Sequence, residues 1–197
     1  MDIVAALRQG GMAARVRALL LSPRQAWGSI AAEPPDPVGL YLRLVMPLAA
    51  IAPLAKLLSW SLVFGFIAPG TAVLAGLLAW VLNLVGVAVL AFAASWLSPY
   101  FEGEDHPDQA VKLVAYAATP SWLGGIFRLV PILGMLSLLT SLYSIYLVYC
   151  GAPQLLGVPP SRAPGFALAL GGIAVLLYIA CGVILALLLG ITALGMA

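Results

Sequence analysis

Charge is the scarcest ingredient of this sequence. Asp, Glu, Lys and Arg make up 8% of its 197 residues, where a soluble domain carries roughly 25%. So few charges cannot clothe a water-exposed surface. Hydrophobic residues reach 63% and mean hydropathy is +1.11, more apolar side chain than a core of this size can bury. Lipid must therefore solvate much of the chain. The net charge of +2 is too small to argue for a nucleic-acid partner. Histidine occurs once and cysteine twice. Cys150 and Cys181 both lie in apolar runs, the setting of packing thiols rather than of a disulfide. No cluster has metal-finger spacing. The single histidine, His106, stands in a polar loop away from every membrane serine, so no Ser-His-Asp set can assemble. These shortages predict no enzyme, no cofactor and no metal centre. No continuous apolar run opens the chain either. Arg8, Arg15 and Arg17 interrupt it, which argues against a signal peptide and leaves the first span to direct insertion.

What is present reads as an all-α integral membrane protein. The expected architecture is a five-transmembrane-helix bundle preceded by an N-terminal amphipathic, interfacial helix. Residues 1–36 form the cytosolic or interfacial segment, and residues 37–197 the membrane domain. Two helical pieces break at Gly10-Gly11. In the second, Met12, Val16, Leu19 and Leu20 share one face, with Arg15 and Arg17 outside the stripe. Ser22-Pro23 with Gln25 then predicts a capped helix start. Pro34-Pro35 ends that helix. Its apolar face, Trp27 and Ile30, suits either lipid, with Trp27 at headgroup depth, or packing on the bundle.

The expected spans cover residues 38–58, 72–97, 107–129, 131–152 and 165–190. Pro47 and Pro53 should kink the first. Arg43 lies about 9 Å inside it and can snorkel back. Gly76, Ala79, Asn83 and Gly86 give the second span a small-residue face, on which Asn83 needs a partner. Trp96, Tyr100 and Phe101 predict an aromatic belt at its exit. The loop that follows holds four of the seven acidic residues, Glu102, Glu104, Asp105 and Asp108. Asp108 should pair with Lys112 one helical turn on. Pro120 breaks the third span's hydrogen bonding at the Tyr116 carbonyl. Gly182, Ala186 and Gly190 give the fifth span a second small-residue face.

Three groups could carry function. The first is a polar cluster at the cytosolic face: Glu33, Asp36, Arg43, Glu102, Asp108 and Lys112. It would bind a headgroup, ion or partner, or simply be a salt bridge between Glu33 and Arg43 that lets the arginine tolerate its depth. The second is the acidic loop, Glu102 to Asp108, as a divalent-cation site or, with better odds, a solvated helix cap. The third is an intramembrane set of polar and kink residues: Asn83, Tyr116, Thr119, Pro120, Ser121, Ser137, Ser141, Tyr143 and Tyr146. It would line a permeation or lipid pathway, or bond helices together around a kink. No carboxylate lies deep in a span, so a proton relay is not expected.

Five spans place the termini on opposite sides. A cytoplasmic N-terminus puts Arg8, Arg15, Arg17, Arg24, Lys112 and Arg162 inside, and only Lys56 and Arg128 outside, as the positive-inside rule demands. The C-terminus is then external.

The stretch SPRQAWGSIAAEPP, with Pro23, Trp27, Ile30 and Glu33, resembles the N-terminal signature of bacterial proteins of the Yip (Ypt/Rab-interacting protein) family. DQAVKLVAYAATPSWL (108–123), Pro131, Gly134 and LYSIYLVYCGAP (142–153) continue the likeness. The resemblance implies five spans with a cytosolic N-terminus, in a bacterial inner membrane. The eukaryotic family associates with small GTPases. This chain lacks the long polar N-terminal domain and the Asp-Leu-Tyr-Gly-Pro motif, so GTPase binding is not carried over. The expected role is a non-enzymatic scaffold or membrane organiser whose partners are the lipid bilayer and either further copies of itself or other membrane proteins. A channel or transporter for a small solute or ion, and a lipid-interacting membrane-shaping protein, are the alternatives.

Overall fold

The computed structural model describes residues 12–63 and 69–195, and these form helices and the turns between them, with no strand. The expected helical piece before Gly10-Gly11 and part of the turn after the first span lie outside the described residues.

Two short helices lead in: α1 (Met12–Leu21) and α2 (Pro23–Ala31). Pro23 occupies the first turn of α2 as expected, but Ser22 makes no side-chain cap. Its backbone N–H instead closes α1 on the Ala18 carbonyl at 2.7 Å, and its carbonyl accepts from Ala26 at 3.1 Å. One residue thus ends one helix and begins the next.

The first span is segmented: α3 (Pro37–Leu40), a π-helical turn (Tyr41–Val45), α4 (Met46–Ala49) and α5 (Ile51–Val63). Asp36 caps it by accepting from the Gly39 N–H at 2.8 Å. The kinks follow from Pro47 and Pro53, each of which removes a backbone donor. At Ala50 the N–H turns to the Leu48 carbonyl. The Met46 carbonyl loses its usual partner there and is served by Trp80 Nε1 of the second span at 3.0 Å.

The second span, α6 (Pro69–Leu97), runs unbroken into a 3-10 turn, Ser98–Phe101. Next come α7 (Pro107–Ala117), α8 (Thr119–Gly124) and a 3-10 segment, Gly125–Leu129. A further 3-10 turn, Pro131–Met135, leads into α9 (Leu136–Leu155), and α10 (Ala163–Gly195) closes the chain.

Among the described residues, four helices are long and apolar enough to cross a membrane: Pro37–Ser59, Ala72–Phe101, Ile132–Leu155 and Ala163–Gly190. Residues 107–129, expected as a span of the same kind, are absent from that set. The reason is physical. The stretch breaks at Ala118, and its first half carries Asp108, Gln109 and Lys112. It sits in the middle of the bundle instead, with Ala110, Leu113 to Ala117, Thr119, Pro120 and Trp122 buried. Protein surrounds it, so it needs no lipid-facing apolar shell. α7 packs on α6 and α9, while α8 and the 3-10 segment pack on α9 and α5.

Gly124-Gly125 makes that central position possible. A Cβ on Gly124 would overlap the Thr140 hydroxyl, and one on Gly125 would lie 2.9 Å from the Ala52 Cα. Three chain segments touch almost backbone to backbone there. The other expected small-residue faces are not used this way. Gly76, Gly86, Gly182 and Gly190 have no heavy atom within 4 Å of where a Cβ would sit. The aromatic belt is also revised. Trp96 and Tyr100 pair on the surface with centroids 5.0 Å apart, whereas Phe101 turns inward onto buried Phe166.

Candidate functional site at the polar end of the bundle

All the described acidic residues gather at one end, where α2, the 98–106 turn and the 156–162 loop meet. The expected pair of Glu33 with Arg43 does not form. Glu33 binds Arg15 instead, Oε2 to Nη1 at 2.9 Å. Arg43 is exposed, held outward by the π-turn. Nor does Lys112 bridge to Asp108. The residue is only 5% exposed, and its ammonium reaches across to α2 and donates to the Glu33 carbonyl at 2.6 Å and to that of Ile30 at 3.4 Å. The last carbonyls of a helix lack intrahelical donors and carry its negative dipole end. A buried cation there answers both. Lys112 is thus the C-terminal cap of a helix some 80 residues earlier.

Trp27 completes the joint. It is fully buried, so of the two expected settings for this face, lipid or the bundle, it takes the bundle. Its ring meets Tyr116 edge-on at 6.3 Å. A Cβ on Gly151 would come within 2.7 Å of that ring, so only glycine admits it. Two further bonds pin the same helices. Tyr143 Oη donates to the Leu20 carbonyl at 2.8 Å, and Gln154 Nε2 to that of Arg24 at 3.1 Å. α1 and α2 are therefore keyed into the bundle.

The acidic loop spends its carboxylates separately. Asp105 accepts from the Ser95 hydroxyl, Glu104 meets His106 at 2.6 Å, and Glu102 meets Arg162 at 2.9 Å. The Glu104 N–H donates to the Leu156 carbonyl at 2.7 Å. The loop is a latch between the ends of α6 and α9. Among the described residues, no three His, Cys, Asp or Glu side chains come together as metal ligands.

The intramembrane set is dispersed as well. Asn83 finds its partner in Trp122, whose Nε1 donates at 3.3 Å. Ser121 and Ser144 hydroxyls bond each other at 2.8 Å. Thr119 back-bonds to the Ala115 carbonyl at 3.4 Å beside the Pro120 break, and the Ala118 N–H covers the Tyr116 carbonyl. Ser137 bonds the Gly134 carbonyl of the preceding 3-10 turn and Ser141 the Ser137 carbonyl of its own helix, a common resting place for hydroxyls. Ser141 and Tyr146 face outward. These groups join helices around a kink rather than lining one channel. Both cysteines are free.

The sequence reading passed over Arg15 and Trp80 as partners and missed Lys112 as a cap. The local signal for Lys112 was its four-residue spacing from Asp108, which pointed along its own helix.

A family model for the Yip1 domain matches residues 17–182. No curated protein and no solved structure matches the chain.

Proposed function

The chain belongs to the Yip1 domain family, and from that premise we propose that this multi-pass membrane protein is a non-enzymatic, five-span scaffold. The observation that carries the reading is how its polar groups are spent. The hydroxyls, the amide and the indoles named above hold helix to helix, and the outer faces of α6, α9 and α10 are Leu, Val and Ile. Such a body offers lateral surface and a polar end to neighbours.

The central stretch is the fifth crossing. α7, α8 and their 3-10 extension together reach about 35 Å, enough for a hydrocarbon core of about 30 Å. The polar end, with Arg15, Arg17, Arg24 and Arg162, faces the cytoplasm of a bacterial inner membrane, while Arg128 at the far end lies over the Tyr178 ring. Copies associate through the exposed Gly182–Ala186–Gly190 stripe, whose glycines have open space above them. A transport role is disfavoured because the interior hydroxyls are paired, and a free membrane wedge because α1 and α2 are docked.

Reconstitution in liposomes tests this. The expected result is oligomers by single-molecule photobleaching, reduced by Gly182→Leu with Gly190→Leu, and no selective flux. Robust selective flux of a small solute or ion would overturn the scaffold. Thiol labelling of cysteines placed at Glu104 and Arg128, which flank residues 107–129, should mark opposite sides; labelling from one side removes the fifth crossing.

A further inference from the structure

An apolar furrow runs between α1 and the first span. Val16, Leu20, Leu21, Leu44 and Leu48 line its upper part, with Leu123 at the base. It encloses about 600 Å³, within the ~300–1,000 Å³ range of small-ligand sites. A second hollow of about 350 Å³ shares Leu20 and Leu123 and continues past Pro120 and Phe127. The edge lined by Arg17 and Arg43 is its mouth. Both are exposed, and among the described residues neither has a carboxylate partner. Arg15, their neighbour, is already held by Glu33.

Three features single out this mouth. First, Arg43 sits at the centre of the π-turn, where the Met46 N–H bonds the Tyr41 carbonyl five residues back. Such turns add one residue to the helical repeat and re-aim a side chain, and they concentrate at functional sites. Second, the opposite wall is fixed, because Tyr143 anchors the end of α1 through the Leu20 carbonyl. Third, the furrow's lining combines two cationic residues, Arg17 and Arg43, with an aliphatic wall. Only an amphiphile with an anionic head and a hydrocarbon tail matches both parts.

We propose that this furrow is a binding site for one anionic glycerophospholipid. Arg17 and Arg43 hold its phosphate by charge-assisted hydrogen bonds, and one acyl chain lies along Leu20, Leu44 and Leu123. The site rests on the membrane reading above, because its mouth must lie at headgroup level.

Native mass spectrometry of the full chain from mixed phosphatidylglycerol and phosphatidylcholine nanodiscs provides the test. The wild type is expected to retain phosphatidylglycerol preferentially. Each guanidinium near the surface contributes about fivefold, so Arg43→Gln should lower the preference about fivefold, and Arg17→Gln with Arg43→Gln about 30-fold. Arg24→Gln removes the same charge from α2 away from the furrow and should leave the preference intact. Leu21→Trp, at a position 70% exposed, fills the mouth and should reduce retention of both lipids. Equal retention of the two lipids by the wild type overturns the site. So does an Arg24→Gln loss as large as that of Arg43→Gln, since the effect is then only net charge. Efficient disulfide dimers of Leu21→Cys, with lipid retention unchanged, would give the furrow to a second copy and also overturn it. Alkaline carbonate washing of the source membranes separates the two levels. Resistant protein without headgroup preference overturns the site alone, whereas released protein overturns the membrane reading and the site with it.

Discussion

Replacing Lys112 by methionine removes the cap on α2 while keeping a stem of similar length. Two opposing effects follow. Burying an ammonium has a desolvation penalty, which methionine relieves. Against this, the Glu33 carbonyl loses its Lys112 donor, while that of Ile30 keeps the Glu33 N–H at 3.3 Å. The 2.6 Å bond to Glu33 is short and charge-assisted, a type that contributes about 1.5–3 kcal/mol, and the helix terminus adds a few tenths more. The 3.4 Å contact with Ile30 is too long to count for much. Methionine relieves the desolvation of the buried ammonium, which trims the loss toward the lower end of that range. The expected net loss is about 2 kcal/mol in docking of α2, a shift of roughly 30-fold in the docked-to-free ratio. Tryptic cleavage after Arg24, on a helix that must open first, reads this ratio in nanodiscs. Arg15→Ala gives the internal scale. Its pair with Glu33 is about one-third exposed and should contribute less than about 1 kcal/mol, so its cleavage rises only a few-fold. Cleavage after Arg24 that is no faster in Lys112→Met than in Arg15→Ala would refute the assignment of Lys112 as the principal tether.

Gly151→Ala places a methyl 2.7 Å from the Trp27 ring and should destabilise by about 1–3 kcal/mol through overpacking, seen as a lower melting temperature in detergent; Trp27→Ala with Gly151→Ala should be less than additive. Asn83→Leu orphans Trp122 Nε1 and should cost about 1 kcal/mol, whereas Asn83→Leu with Trp122→Phe removes both partners and should recover part of it. Trp80→Phe deprives the Met46 carbonyl of its donor and should accelerate hydrogen exchange of the Ala50–Leu54 amides. Gly124→Leu meets Thr140 and should abolish folding, while Gly76→Leu, in open space, should leave the melting temperature unchanged.

Much of the helical layout was legible because lipid imposes a simple rule, continuous apolar runs bounded by Pro, Gly and charge. The second and last spans obey it and were placed within a few residues. Residues 107–129 answer to that rule less well. Hydropathy registers what faces lipid, and this stretch faces protein, so its boundaries came from Pro107 and Pro131 rather than from its own character. Local spacing likewise proposed Asp108 for Lys112 and Arg43 for Glu33. The actual partners lie 79 and 18 residues away, and separations of that kind are set by which helices meet. Gly124-Gly125 was visible as a pair, but only the crossing of α8 with α9 and α5 explains it. Ser22 shows the converse, a strong local capping pattern overridden because α1 runs directly into α2.

The seat of the N-terminal helices has a temporal consequence. Leu20 is held by Tyr143, 123 residues later, and Arg24 by Gln154, 130 residues later. At about 5–20 residues per second, a ribosome finishes the receptor for α1 and α2 roughly 6–25 s after making them. Until then the indole of Trp27 has no protein cavity to enter, and the nascent segment must float in the headgroup layer with its apolar stripe down. The last step of assembly is therefore a transfer from lipid to protein, and it can proceed only once α9 has been threaded.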